Sequence, residues 1–312
     1  MEKLKKAIKK RYSLFKLTGN KHLTSLGLNV FTPRWKLKTV GMQKNIPYGL
    51  NKLQKFDLIV PKEKIDHCPV VFYIHGGAWC GGDKFGYNHF CSRVAEQGFI
   101  VVNMNYRLMP KVGAKTCVKD CINAIKYFEK NGTKLVEKLN ENLKPDFNNC
   151  FLVGDSAGAH ISSLITAKNT SHKLKLKINI SALGLYYGVY TFENMKHEPS
   201  LILRDLDKYW KIAEPNTKKF YKDMSTTTYF TNNFPPCFLT AGEMDKIHSQ
   251  SVYFTNLLKQ NNIECEFLSF DKSRQDGRHA FLNVHTLKSS KEAFNGLINF
   301  FKKILARENK EK

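Results

Sequence analysis

The string Gly154-Asp155-Ser156-Ala157-Gly158 sets a serine between two glycines, each two residues away, at the junction of a β-rich run (CFLV, 150–153) and a helical pattern (AHISSLITAK, 159–168). Small flanking residues permit the tight strand-to-helix turn that strains a serine and leaves its hydroxyl exposed. Ser156 is therefore a candidate nucleophile, set against the plainer role of a helix N-cap in an ordinary turn. A serine hydroxyl attacks only when a base takes its proton, and the base needs a third group to hold its tautomer. Two partners are owed downstream. Asp245 falls in GEMD, on the loop after PPCFLTA, and His279 falls in DKSRQDGRHAF, just past ECEFLSF. The chain order Ser, acid, His is the one such a turn requires. Glu243 is the rival acid and His285 the rival base, while His248 stands too early, at the start of a helix.

Attack on a carbonyl creates an oxyanion, which preorganised N–H donors must meet. The run YIHGGAWCGGDK at 73–84 follows a strand and carries glycines that let backbone amides approach without hindrance. Gly76 and Gly77 are the expected donors there. The N–H of Ala157, at a helix N-terminus whose dipole favours negative charge, is the expected partner. His75 is read as a residue that fixes this loop by hydrogen bonding and not as a base.

Elements that end where these residues stand must position them. Short β-rich runs occur at 54–61, 69–74, 99–104, 150–154, 177–185, 236–241 and 264–270, with helical patterns near 86–97, 115–130, 157–168, 248–261 and 290–306. Alternation of this kind predicts an α/β fold: a mostly parallel twisted sheet with helices on both faces, its ligands at the carboxyl ends of the strands. Residues 188–235 break the rhythm. They are about twice as long as one crossover helix needs and rich in aromatics (Tyr190, Phe192, Tyr209, Trp210, Phe220, Tyr221), which predicts an inserted cap. Leu4, Ile8, Tyr12 and Phe15 recur at helical spacing among lysines, so residues 1–35 are expected to hold a basic amphipathic segment that packs on the body.

Composition narrows the classes. With 42% apolar and 25% charged residues, the 312-residue chain is neither disordered nor fibrous. Its 50 Lys+Arg against 27 Asp+Glu leave a formal charge of +23, a balance that raises nucleic acid or an anionic membrane as partner. The excess is mostly lysine spread along the whole length, without the arginine stripe or stacking platform that nucleic acid calls for, so no specific nucleic acid is expected. Weak contact with an anionic surface through the N-terminal helix is the form that idea keeps. No apolar run nears the roughly 18 residues of a membrane span. Lysines interrupt the stretch after the charged N-terminus where a signal peptide needs an apolar core. Eight cysteines without a CxxC pair or zinc spacing fit reduced thiols, with Cys117 and Cys121 one helical turn apart on a packed face. A cytoplasmic protein without metal or cofactor is expected.

Taken together, IPYGLNKLQKFDLIVP, VVFYIHGGAWCGGDK, VVNMNYRL, VGDSAGAH, FPPCFLTAGEMD and GRHAF, from about Val40 to Phe301, resemble the α/β-hydrolase superfamily. The likeness is greatest to its hormone-sensitive-lipase-like and carboxylesterase branch, which includes feruloyl and acetyl xylan esterases. The resemblance implies an α/β-hydrolase domain over 36–312, Ser156 as nucleophile with Asp245 and His279 as partners, and Gly76, Gly77 and Ala157 about the oxyanion. It gives Trp79 and Asp83 places in the HGGAW and GDK stretches, and Asn105, Tyr106 and Arg107 a structural turn. Departures are a third glycine replaced by Ala78 and the string Ser156-Ala157-Gly158-Ala159-His160, which is similar to kynurenine formamidases. The function expected is hydrolysis of small carboxylic esters through an acyl-enzyme. An amidase or deformylase on the same machinery is the alternative, and a non-catalytic binding protein on a hydrolase scaffold is the alternative from another class.

Overall fold

Apolar runs become strands here because alternate residues serve two different cores. In the computed structural model of the protein, residues 40–193 and 200–308 are described, so the expected N-terminal helix lies outside them. Eight strands, β1 (Val40–Pro47), β2 (Lys55–Pro61), β3 (Ile65–Ile74), β4 (Ile100–Met104), β5 (Leu143–Asp155), β6 (Ile180–Tyr186), β7 (Cys237–Gly242) and β8 (Cys265–Phe270), form one sheet in the order β1-β2-β4-β3-β5-β6-β7-β8. β2 runs antiparallel to both its neighbours, and every pair from β4 to β8 is parallel. The helices are α1 (Asn88–Ala95), α2 (Ala114–Glu137), α3 (Ala157–Thr170), α4 (Leu201–Ala213), α5 (Thr217–Met224), α6 (His248–Gln260) and α7 (Lys288–Glu308).

On β3, Val70, Phe72 and Ile74 join Ile125 and Phe128 of α2 and Leu164 of α3 in one core. Val71 and Tyr73, one residue out of phase, join Phe90 of α1 and Leu297 and Phe301 of α7 in the other. Complete burial of the central strands follows, as a parallel sheet covered on both faces demands.

Two elements exceed their sequence signals. β5 begins at Leu143, pairs Pro145 with Cys68, and resumes after a register shift with Cys150 opposite Val70. α2 continues through Gly132, where a Cβ would stand 2.9 Å from the Phe128 ring, so close packing occupies the space that a side chain would need. Cys117 and Cys121 lie buried on one face of α2, and all eight cysteines are free thiols. Among the described residues no group of three His, Cys, Asp or Glu is placed to hold a metal, and no helix is long and apolar enough to cross a membrane.

Candidate active site

Ser156 stands between the last residue of β5 and the first of α3 at φ 52°, ψ −115°, a conformation L-residues rarely adopt. The flanking glycines make that turn possible. A Cβ on Gly158 would lie 1.9 Å from the Ile74 carbonyl oxygen, and one on Gly154 2.4 Å from the Gly158 carbonyl carbon. The Ser156 N–H donates to the Tyr186 carbonyl at 2.8 Å and ties the turn to β6.

The expected partners converge on it. His279 Nε2 lies 3.1 Å from Ser156 Oγ, and His279 Nδ1 lies 2.7 Å from Asp245 Oδ2. A carboxylate only accepts, so Nδ1 carries the proton toward it and Nε2 is left to accept from the serine hydroxyl. Asp245 Oδ1 accepts from the Ile247 N–H at 3.0 Å, which fixes the plane of the carboxylate. The carboxylate is buried, while the imidazole side chain is 39% exposed, so reach for substrate and shelter for the acid coexist. The rivals lie elsewhere. Glu243 is exposed, His248 Nε2 pairs with Ser269 Oγ at 2.9 Å, and the His285 ring packs against His89.

A close backbone approach joins the acid loop to the histidine loop: a Cβ on Gly242, the last residue of β7, would stand 2.0 Å from the Gly277 carbonyl oxygen. Asp276 then pins the histidine loop to α7, accepting from Arg274 Nε at 2.9 Å and from the Ser289 N–H at 2.7 Å. The Arg274 hydrogen bond holds its carboxyl well below the usual range. Behind His279, the Tyr187 ring packs at 4.9 Å between centroids from a backbone with φ 38°.

The glycine loop departs from expectation at one position. The Gly76 N–H donates to Asp155 Oδ1 at 2.7 Å, so it is already committed and does not face an incoming carbonyl. Gly77, at φ 116°, opens the tight turn in which Cys80 N–H and Gly81 N–H both donate to its carbonyl, at 3.0 and 2.8 Å. His75 is buried, stacked on Tyr106 at 4.4 Å, with Nδ1 2.7 Å from the Gly76 carbonyl, and burial pushes its pKa down. This is the loop-fixing role its sequence position predicts. Asp83 and Asn105 brace the same loop, the Asn105 amide donating to Asp83 Oδ2 at 2.7 Å, and Arg107 makes a bidentate pair with Asp120.

Two residues of the site carry roles the motifs did not reveal. Asp155 accepts from Gly76 N–H, from Tyr73 OH at 3.0 Å and from Tyr87 OH at 3.0 Å, clamping the glycine loop to the serine turn. Burial raises its pKa to about 6 against these donors, which pull it down. His160, one helical turn past Ser156, is fully buried: Nδ1 accepts from Trp79 Nε1 at 3.1 Å, and Nε2 donates to the Met224 carbonyl at 2.7 Å. Burial lowers its pKa to about 4, so the ring is a neutral crosslink between α3, the glycine loop and the end of α5. An acid inside an otherwise apolar run, and a histidine on a helix core face, are the signals that could have found them.

Eight strands in this order, with a serine turn after β5 and histidine after β8, define the chain as an α/β hydrolase. Residues 56–258 match the BD-FAE family, well over half of the chain, and the chain belongs to that family. It is similar to the probable carboxylic ester hydrolase LipM of Mycobacterium tuberculosis (28% identical over 187 residues, 57% of this chain and 42% of that one). It is likewise similar to Hydrolase 4 of Catharanthus roseus (25% over 193 residues, 58% and 60%). The matches thus span about half the length of these curated relatives. In fold it superposes on esterase B from Lactobacillus Rhamnosis (TM-score 0.83, 19% identity, 97% of this chain and 98% of that one).

Proposed function

We propose that the protein is a serine hydrolase that cleaves small carboxylic esters through an acyl-enzyme. The observation that carries this reading is the unbroken line of hydrogen-bond contacts from Ser156 Oγ through His279 to Asp245, at 3.1 and 2.7 Å. Family membership and the relatives named as ester hydrolases support it. In the proposed sequence, Oγ attacks the ester carbonyl while His279 Nε2 takes its proton, and Asp245 steadies the imidazolium that forms. The tetrahedral oxyanion is met by the N–H groups of Gly77 and Ala157, with Gly76 holding the loop through Asp155 and giving no hydrogen bond to substrate. His279 returns the proton to the departing alcohol, and water, activated by the same ring, releases the acid. These steps need neither metal nor cofactor.

The domain reading belongs to the same proposal: a hydrolase domain over 36–312 with residues 188–235 as its cap. Its support is the packing of Phe192 and Trp210 on Trp79, at 5.7 and 5.6 Å between ring centroids, which sets insertion aromatics on the glycine loop. The aromatic composition of 188–235 favours small apolar or aromatic acyl groups over long chains.

Purified protein is expected to hydrolyse p-nitrophenyl acetate and butyrate and to be labelled once by a fluorophosphonate, with both properties lost in Ser156→Ala. Full turnover by that variant refutes the reading. Faster cleavage of N-formylkynurenine than of either ester moves it to amide hydrolysis, and absence of labelling moves it to a binding protein.

A further inference from the structure

Helix α2 carries its cations on one side. Lys115, Lys119, Lys126, Lys130, Lys134 and the C-cap Lys138 recur at steps of four and seven residues, and all are exposed. At about 100° and about 1.5 Å per residue, these steps confine them to about 140° of the helix circumference in a row about 35 Å long. Cys117, Cys121, Phe128 and Val136, on the opposite side, are buried in the core. A neighbouring segment widens the row. Glu129 Oε1 accepts from the Lys177 N–H at 2.8 Å, which lays 172–178 against the middle of α2 and adds Lys173, Lys175 and Lys177, also exposed.

What sets this face apart from an ordinary solvated surface is how little of its charge is neutralised. Of the three acids of α2, Asp120 is buried and held by Arg107 and Gln54, Glu129 is engaged by the backbone at 177, and Glu137 alone is exposed. Lys115 pairs with Asp223 at 2.8 Å, and among the described residues Lys119, Lys126, Lys130, Lys134 and Lys138 form no ion pair. On the other face of the sheet, α7 is the contrast. There Lys288 reaches Glu292 at 3.8 Å, Lys303 reaches Glu264 and Glu266 at 3.0 and 2.9 Å, and Arg307 reaches Glu264. A cationic face without such partners raises the local potential and attracts an extended anionic surface.

We propose that this lysine face of α2 is a docking surface for a lipid membrane rich in anionic phospholipid. Residue types decide between that partner and nucleic acid. Neither α2 nor 171–178 contains arginine, and the aromatics of α2, Tyr127 and Phe128, are half-buried and buried. The face therefore offers no forked donors for bases or phosphates and no stacking platform. Lysine is a compact hydrated charge on a flexible stem, which suits mobile headgroups that rearrange to meet it. No large apolar residue of α2 is exposed, so contact stays at the headgroups without insertion, and salt reverses it. The surface contains none of the proposed catalytic groups and stands independently of the hydrolytic reading.

Cosedimentation of the full chain with vesicles tests the proposal. At low ionic strength, binding is expected to equimolar phosphatidylserine and phosphatidylcholine and not to phosphatidylcholine alone, and it should fade as added salt shortens the Debye length. A variant that joins Lys119→Gln, Lys126→Gln, Lys130→Gln and Lys134→Gln is expected to lower the vesicle partition coefficient about a hundredfold or more, since each lysine near an anionic surface contributes about fivefold. A second variant removes the same charge from α7, by Lys288→Gln, Lys291→Gln, Lys302→Gln and Lys303→Gln, and should lower it less than about tenfold. Both variants keep residues 1–35, so the charge of that segment is common to the two, and circular dichroism establishes that both are folded. Absence of binding to the anionic vesicles at low ionic strength, or equal losses in the two folded variants, overturns the proposal. So does duplex DNA binding that the α2 variant abolishes while its vesicle binding persists, a result that assigns the face to nucleic acid.

Discussion

Two sets of polar side chains meet at Ser156, and they differ in what surrounds them. In the outer set, Ser156, His279 and Asp245, the imidazole is 39% exposed and its two nitrogens join the serine hydroxyl to the carboxylate. In the inner set, Asp155, His75 and His160, every side chain is at most 2% exposed and the hydrogen bonds run to fixed backbone groups, phenols and an indole. The residue types are the same, an acid and histidines, yet water can reach only the outer ring. A group that must change protonation during a reaction needs that access, whereas a buried one with every site satisfied serves as a rigid joint. The comparison explains how strained backbone at Ser156 is held in place: the frame beneath it is paired with the loops on either side.

Mutations in the outer set should remove the chemistry and spare the fold. Ser156→Ala is expected to lower kcat/KM for p-nitrophenyl acetate by about 10⁴ or more, and Asp245→Asn by about 10⁴ through loss of the tautomer, with thermal midpoints little changed. An Asp245→Asn enzyme with wild-type turnover would place the acid elsewhere and break the comparison. Below the serine the order reverses. Gly158→Ala must fit a methyl group 1.9 Å from the Ile74 carbonyl oxygen, and a loss of about 3 kcal/mol or more is expected by urea denaturation, with activity falling because the turn moves.

Asp155 sharpens the same contrast through pH. Its pKa stands at about 6 in the folded protein against an ordinary 3.8, so the native state holds a proton that the unfolded chain has released. The stability this group contributes is therefore fully present below about pH 4 and is lost as pH rises to about 6, a difference of about 3 kcal/mol. Asp155→Asn keeps an acceptor for the Gly76 N–H and cannot ionise, so its stability should lack that decline. Matching slopes for wild type and variant between pH 4 and 6, measured by urea denaturation, would contradict the assignment.

The outer set was legible in the sequence because its signals are local. Glycine spacing about Ser156 encodes the turn, and Asp245 and His279 follow strand runs whose order is itself a constraint. The strands and helices around them were readable from periodicity. The extra turns of α2 were not, since Gly132 normally ends such a pattern and only the Phe128 ring explains why it is tolerated. Nor was the start of β5, where Pro145 and the polar Asp146, Asn148 and Asn149 hide pairing to β3. The inner set was illegible for a different reason: Tyr73 and Gly76 lie about eighty residues from Asp155 in sequence, so only the folded sheet creates the clamp. For that reason Gly76 was expected to face the oxyanion, and His160 entered only through the likeness of its string to formamidases.

His160 gives the smallest and most discriminating test. Its two nitrogens satisfy the Trp79 indole N–H and the Met224 carbonyl, groups buried on either side of the ring and otherwise left without these partners. Glutamine offers an acceptor and a donor on a flexible stem that cannot hold both at the imidazole's angle, so His160→Gln should cost about 1–2 kcal/mol in stability. If the ring is a joint between the glycine loop and the end of α5, the variant should raise KM for bulky acyl esters more than it lowers kcat for p-nitrophenyl acetate, because the end of α5 shifts while the outer set stays in line. If the ring instead acts on the reacting ester, kcat falls for every substrate alike and follows a new ionisation in the pH profile. A histidine held neutral, with burial lowering its pKa to about 4, should leave no such ionisation between about pH 6 and 8.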